Sequence, residues 1–103
     1  MNSEVLVLYS RKGCCLCQAL ENKLSTISLE NLNPSILLSI VDIDSKKVSL
    51  EIQMKYTNDV PVLVLDSTKL LKKIELPRVS PRLKEDMLLS WIQKNLNILY
   101  KTA

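Results

Sequence analysis

The chain has 103 residues, which suits one domain over residues 1–103 and leaves no room for a second. Hydrophobic residues make up 47 % and charged residues 24 %, the balance of an ordinary globular protein. The net charge of +3 is too small an excess to imply nucleic acid. Histidine is absent, which excludes Ser-His and Cys-His nucleophile systems, and the single glycine excludes a glycine-rich phosphate loop.

Met1 to Leu8 carries Glu4 and only a short apolar run, so no secretory signal is expected. No stretch approaches the ~18 apolar residues of a membrane helix. The expected compartment is the cytoplasm, with no membrane partner. Thiols are kept reduced there, so cysteines read as catalytic or metal-binding rather than as structural staples.

In chain order, Glu4 to Tyr9 is a β-rich run and predicts a first strand. Ser10 to Gly13 breaks it. Gly13 is the only glycine where average usage gives about seven, and its place directly before the cysteines suggests a backbone constraint. Leu16, Ala19, Leu20, Leu24 and Ile27 recur at helical spacing and predict a first helix. Asn31 to Pro34 is a loop, because a residue before proline avoids helical geometry. Ser35 to Asp42 is a nearly continuous apolar run, as in a strand covered on both faces.

Asp44 or Ser45 can cap a second helix that carries Val48, Ile52 and Tyr56 on one face. Val62 to Leu65 is a third strand, Asp66 to Thr68 a tight connection, and Lys69 to Leu76 a polar fourth strand suited to an edge. Ser80 and Pro81 read as a cap and first helical position for a last helix reaching about Asn97, with Leu88, Trp91, Ile92, Leu96 and Leu99 on its buried side. The order is β-α-β-α-β-β-α. It predicts a parallel crossover at the start and a hairpin later, hence a four-stranded mixed sheet flanked by helices. Lys69, Lys72, Lys73, Arg78, Arg82 and Lys84 gather in the second half, where they either line a solvated strand edge and helix start or form a docking patch for an acidic partner or the glutathione carboxylates.

All three cysteines lie in one tetrad, and Cys14 and Cys17 form C-x-x-C at the junction of the first strand and first helix. A helix N-terminus offers unpaired N–H groups and a positive dipole end, and both favour a thiolate. Arg11 and Lys12 add positive charge nearby. Cys14 is therefore the expected nucleophile, and Cys17, one turn on, the resolving thiol. Cys15 reads either as a packing residue or as a third redox partner open to glutathione capping. Asp42 and Asp44 read as capping groups rather than as a carboxylate pair.

The stretch Tyr9 to Cys17 resembles the active-site entry of glutaredoxins: a strand, a short basic loop, C-x-x-C and a helix. About forty residues on, Tyr56 to Val64 resembles the segment of thioredoxin-fold proteins in which a tyrosine precedes Val-Pro. The chain is similar throughout to a small glutaredoxin-like protein of the thioredoxin-fold superfamily. The resemblance implies that Val60–Pro61 is a cis peptide facing the cysteines, and that the backbone of Val60 pairs with an extended substrate. It also implies substrate contacts from Arg11, Lys12, Val60 and Pro61. The interior of the pair is Cys-Leu where glutaredoxins often carry Pro-Tyr, and Leu76 to Arg82 lacks the Gly-Gly that meets glutathione in the family. No residue is assigned to that contact.

The expected function is thiol–disulfide oxidoreduction, reducing protein disulfides or glutathione mixed disulfides. The expected protein is a monomer without bound cofactor or metal, whose partners are disulfide-containing or glutathionylated proteins; glutathione is a candidate co-substrate. The competing reading is a soft-metal or iron–sulfur binding module built on the same thiolates. Copper chaperones also carry C-x-x-C after a first strand, but their order ends in a strand where this chain ends in a helix.

Overall fold

The computed structural model describes residues 4–101. Four strands, β1 (Glu4–Ser10), β2 (Ile36–Asp42), β3 (Val62–Ser67) and β4 (Lys72–Glu75), form one sheet in the order β2-β1-β3-β4. β1 runs parallel to β2 and antiparallel to β3, and β3 runs antiparallel to β4. Three helices flank the sheet: α1 (Cys15–Thr26), α2 (Leu50–Tyr56) and α3 (Glu85–Lys101). A 3-10 turn (Leu29–Asn31) and a cis Asn33–Pro34 bond lead into β2. This is the mixed α/β, thioredoxin-like arrangement that the element order and the resemblance implied.

Alternation along β1 sends Leu6 and Leu8 to one face and Val7 and Tyr9 to the other. On the first face they meet Leu20 and Leu24 of α1 and Leu88, Ile92 and Leu96 of α3. On the second face Tyr9, Val62 and Val64 pack with Ile43 and Tyr56 under the short α2. Burying each such aliphatic side chain contributes roughly 1.5–3 kcal/mol.

Several expectations give way to local hydrogen bonding. The second helix does not begin at Asp44 or Ser45. Asp42 Oδ1 accepts from the amide of Asp44 and Ser45 Oγ from that of Lys47, which closes two turns. Ser49 is the cap instead, its Oγ accepting from the amide of Ile52. Ser80 and Pro81 do not open the last helix either. Ser80 Oγ accepts from the amide of Arg82, and Lys23 Nζ donates to the carbonyls of Pro81 and Leu83, holding that segment as a turn. α3 starts at Glu85, with Glu85 and Asp86 at the positive end of its dipole, and continues past Asn97 to Lys101.

β4 begins at Lys72, not Lys69. Residues 68–71 form the turn from β3, pinned by Glu4 Oε1, which accepts from Thr68 Oγ1 and the Lys69 amide, and by Ser67 Oγ, which accepts from the Leu70 amide. Leu71 adopts a positive φ of 56° there. β2 is an edge strand, so it is not covered as its apolar run suggests: Leu37 and Ile40 are exposed. β4 is the opposite edge and carries exposed Lys72 and Lys73.

Candidate redox site

The register brings the site to one end of the sheet. Ser10, the last residue of β1, pairs with Asp42, and Tyr9 pairs with Val62 at the start of β3. The loop carrying the cysteines and the loop carrying Val60–Pro61 therefore leave the sheet at the same end. The Val60–Pro61 bond is cis, as the resemblance implied.

The cysteine loop is a tight turn in which the Cys14 amide donates to the Arg11 carbonyl at 3.2 Å. Gly13 takes φ +81° in it, the left-handed region that side chains avoid. A Cβ at Gly13 would meet nothing within 4 Å, so the glycine answers to backbone geometry and not to space.

Cys14 is the N-cap of α1, and its Sγ accepts from the Cys17 amide at 3.1 Å. Cys14 and Cys17 are joined as a disulfide with Cα atoms 5.2 Å apart. The two sulfurs differ in access: Cys14 is half-buried, whereas Cys17 is fully buried among the core residues. Cys15 is a free, exposed cysteine. Leu16 is exposed as well, although helical spacing set it with Leu20 and Leu24; Cys17 occupies the inward position in its place.

The expected substrate residues divide between two clefts on either side of α1. Pro61 lines one of about 200 Å³, with Leu20, Leu76 and Arg78. Arg11 and Lys12 line the other, of about 250 Å³, with Gln18, Glu21 and Asp42. Val60 is half-buried against the core on the α2 side.

Arg11 is already bonded within the fold. Its Nε and one terminal nitrogen donate to the two Asp44 carboxylate oxygens at 2.9 and 3.1 Å. It also donates to the Thr57 carbonyl at 2.8 Å and the Thr57 hydroxyl at 2.7 Å. The Asp44 hydrogen bond holds the guanidinium charged, above its already high ordinary range. These partners lie 33 and 46 residues away in the chain, and no local pattern announces them.

Beneath the site the Tyr9 and Tyr56 rings stack with centroids 5.5 Å apart. Burial, reinforced by Glu75, pushes the Tyr56 hydroxyl up to about 12.

A family model described as Glutaredoxin-like domain (DUF836) matches residues 5–93. The chain belongs to this glutaredoxin-like family. A solved structure described as that of a malarial protein resembles this one with a TM-score of 0.59 at 19 % identity, covering 90 % of this chain and 97 % of the other. At that identity the likeness concerns the glutaredoxin-like fold alone. No curated protein matches significantly. The family and the close cysteine pair together indicate redox chemistry. Among the described residues, no cluster of three or more Cys, Asp or Glu has the spacing of a metal site, and no helix is long and apolar enough to cross a membrane.

Proposed function

We propose that the protein is a thiol–disulfide oxidoreductase that reduces protein disulfides or glutathione mixed disulfides through Cys14 and Cys17. One observation carries the reading: the pair sits at the start of α1 with an accessible first sulfur and a buried second one. That asymmetry divides the chemistry. An outside disulfide can reach only Cys14, and only a neighbouring group can be reached by Cys17.

The reduced protein starts the cycle. The Cys14 thiolate attacks one sulfur of the substrate disulfide, forming a mixed disulfide and expelling the other sulfur as a thiolate that takes a proton from solvent. Cys17 then loses its proton and attacks Cys14 Sγ. The second substrate thiolate leaves, and the Cys14–Cys17 disulfide remains. Two electrons pass from the protein to the substrate. Two equivalents of an external thiol, with glutathione as the candidate, restore the dithiol by the reverse exchange: the first forms a mixed disulfide with Cys14, and the second displaces Cys14 and leaves joined to the first as a disulfide.

The helix dipole and the Cys17 amide, which points at Cys14 Sγ, favour the thiolate before attack and the leaving sulfur after it. Lys12 supplies an exposed cation beside the pair. Val60 offers backbone for an extended substrate, and Pro61 shapes the adjoining cleft. Arg11 retains one N–H of its five for a substrate, since four are bonded within the fold. A reducing cytoplasm and a monomeric state complete the proposal, with no bound cofactor.

The test is a glutathione redox titration of the whole chain, read by intact mass and disulfide mapping. A Cys14–Cys17 disulfide with a midpoint between about −270 and −180 mV is the expected result. In a companion experiment with Cys15 replaced by serine, Cys17→Ser accumulates a mixed disulfide on Cys14, and Cys14→Ser accumulates none. A pair that stays reduced throughout, or that co-purifies with copper or iron, overturns the proposal in favour of a metal-binding module.

A further inference from the structure

Two loops must meet for the proposed exchange, the one bearing Cys14 and the one bearing Val60–Pro61. They are separated in the chain by all of α1, β2 and α2. Sharing one end of the sheet sets their neighbourhood, not their spacing. Arg11 is the residue that touches both. Its carbonyl accepts from the Cys14 amide, and its guanidinium donates to the carbonyl and hydroxyl of Thr57, three residues before Val60. Asp44, at the end of the β2 side, holds the same guanidinium in a two-point grip that fixes its plane. Arg78 secures the far side of the loop by donating to the Asp59 carbonyl at 2.8 Å.

We infer that Arg11 is a positioning residue for disulfide exchange, holding the Cys14 loop and the Val60–Pro61 loop at the spacing a polypeptide substrate requires. The inference rests on the redox reading above. Charge is the obvious competing role, because a cation near Cys14 would favour its thiolate. The contacts argue against it. The guanidinium is matched by the Asp44 carboxylate, with Asp42 acting on it as a second negative charge. Lys12 forms no ion pair among the described residues and carries the unmatched positive charge at this loop. A residue that served by charge alone would also have no need of Thr57, which offers neutral acceptors. A planar fork reaching two carboxylate oxygens and two Thr57 oxygens at once is a geometric device, and lysine cannot reproduce it.

The experiment compares two reactions of Cys14 in the reduced full-length protein. One is alkylation by iodoacetamide across pH, which needs the thiolate and no groove. The other is reduction of a peptide disulfide, which needs the thiolate and the groove together. Arg11→Ala and Arg11→Lys are both expected to lower peptide-disulfide kcat/KM by roughly tenfold to a hundredfold, the scale of misplacing reacting groups by about an ångström. Their alkylation pH profiles stay at wild type. Thr57→Val, which keeps Arg11 and its charge, lowers the peptide reaction in the same direction, and Thr57→Ser restores it. The Thr57 pair keeps the test decisive if an Arg11 variant fails to fold, which far-ultraviolet circular dichroism reports.

Alkylation and peptide reduction falling in parallel in Arg11→Ala, with Arg11→Lys near wild type, overturns the inference in favour of a charge effect. Unchanged peptide reduction in Arg11→Ala overturns it outright. A wild-type protein that reduces no disulfide overturns the redox reading itself, and the inference with it; the wild-type control separates the two failures.

Discussion

Glu4 accepts a hydrogen bond from the Thr68 hydroxyl at 3.1 Å, across 64 residues of chain, and does so with its carboxylate almost wholly enclosed, 1 % exposed. The same Oε1 takes the Lys69 amide at 3.2 Å. Oε2 is buried with no partner at hydrogen-bond distance, so the Ser67 and Tyr100 hydroxyls act on it as nearby dipoles rather than through formed bonds. A charged group so placed organises the β3–β4 turn at the end of the sheet away from the cysteines.

Burial alone would raise the pKa of Glu4. The dipoles of Ser67 and Tyr100 and the bonds from Lys69 and Thr68 outweigh it, and the carboxyl lies below its ordinary value of 4.5. A carboxylate whose pKa falls on folding stabilises the native state above its unfolded value, and that stability is lost as pH drops through the folded value. Urea melts of the wild type should therefore lose stability below about pH 4.5, and Glu4→Gln should lose less over that range. At neutral pH the variant should be less stable by roughly 1–3 kcal/mol. Parallel acid profiles for the two proteins would refute this assignment.

Tyr56 has the opposite sign. Its folded value of about 12 lies above the ordinary 10.0, mainly because the ring is buried. The neutral hydroxyl is thus favoured in the native state, and the stability this gives is complete below pH 10 and lost as pH climbs toward 12. Tyr100 is also raised by burial, so a phenolate absorbance titration should find late ionisation with a last step at about 12, and Tyr56→Phe should abolish that last step. If the last step survives in Tyr56→Phe, the assignment is wrong.

Leu8 is fully buried on central strand β1, packed between the sheet and the α1–α3 layer. Leu8→Ala should cost about 2–5 kcal/mol, the range for emptying an aliphatic core site. A domain of this size has about 5–15 kcal/mol in total, so the variant should melt far below wild type. A midpoint in urea close to wild type would contradict the packing described.

Gly13→Ala isolates backbone strain from crowding, because the new methyl group has room. Holding a non-glycine residue in the left-handed region costs about 1–2 kcal/mol. Gly13→Asn should cost less, asparagine being among the side chains that tolerate that region. Equal losses from the two variants would point to some other constraint at the loop.

The parts of the molecule that repeat locally were readable in the chain. The short β-rich runs of β1 and β3, the Leu20 and Leu24 stripe, and the cysteines at a strand-to-helix junction are short-range patterns, and each has its counterpart in the structure. What escaped depends on residues far apart. Lys69 looks like strand until Glu4 claims its amide, and Ser80-Pro81 looks like a helix start until Lys23 binds the carbonyls beyond it. Arg11 read as a free cation beside the cysteines because Asp44 and Thr57 meet it only in three dimensions. Leu16 illustrates a different limit: a spacing of four from Leu20 fits Leu16 to the inner face and a spacing of three fits Cys17, and only packing decides between them.

Cys14 and Cys17 are three positions apart, and such a short bridge restricts the unfolded chain little, by about 2 kcal/mol or less. Folding and electron transfer are then the two sides of one thermodynamic cycle. Any difference in unfolding free energy between the dithiol and disulfide proteins equals the difference in reduction potential between the folded pair and the same pair in an unfolded peptide. If the dithiol form is the harder to unfold, the fold pulls electrons inward and makes the protein an oxidant; if the disulfide form is harder to unfold, it is a reductant. Two urea curves, recorded without any substrate, would give the sign and size of the shift that the fold imposes on the pair's potential relative to the unfolded peptide.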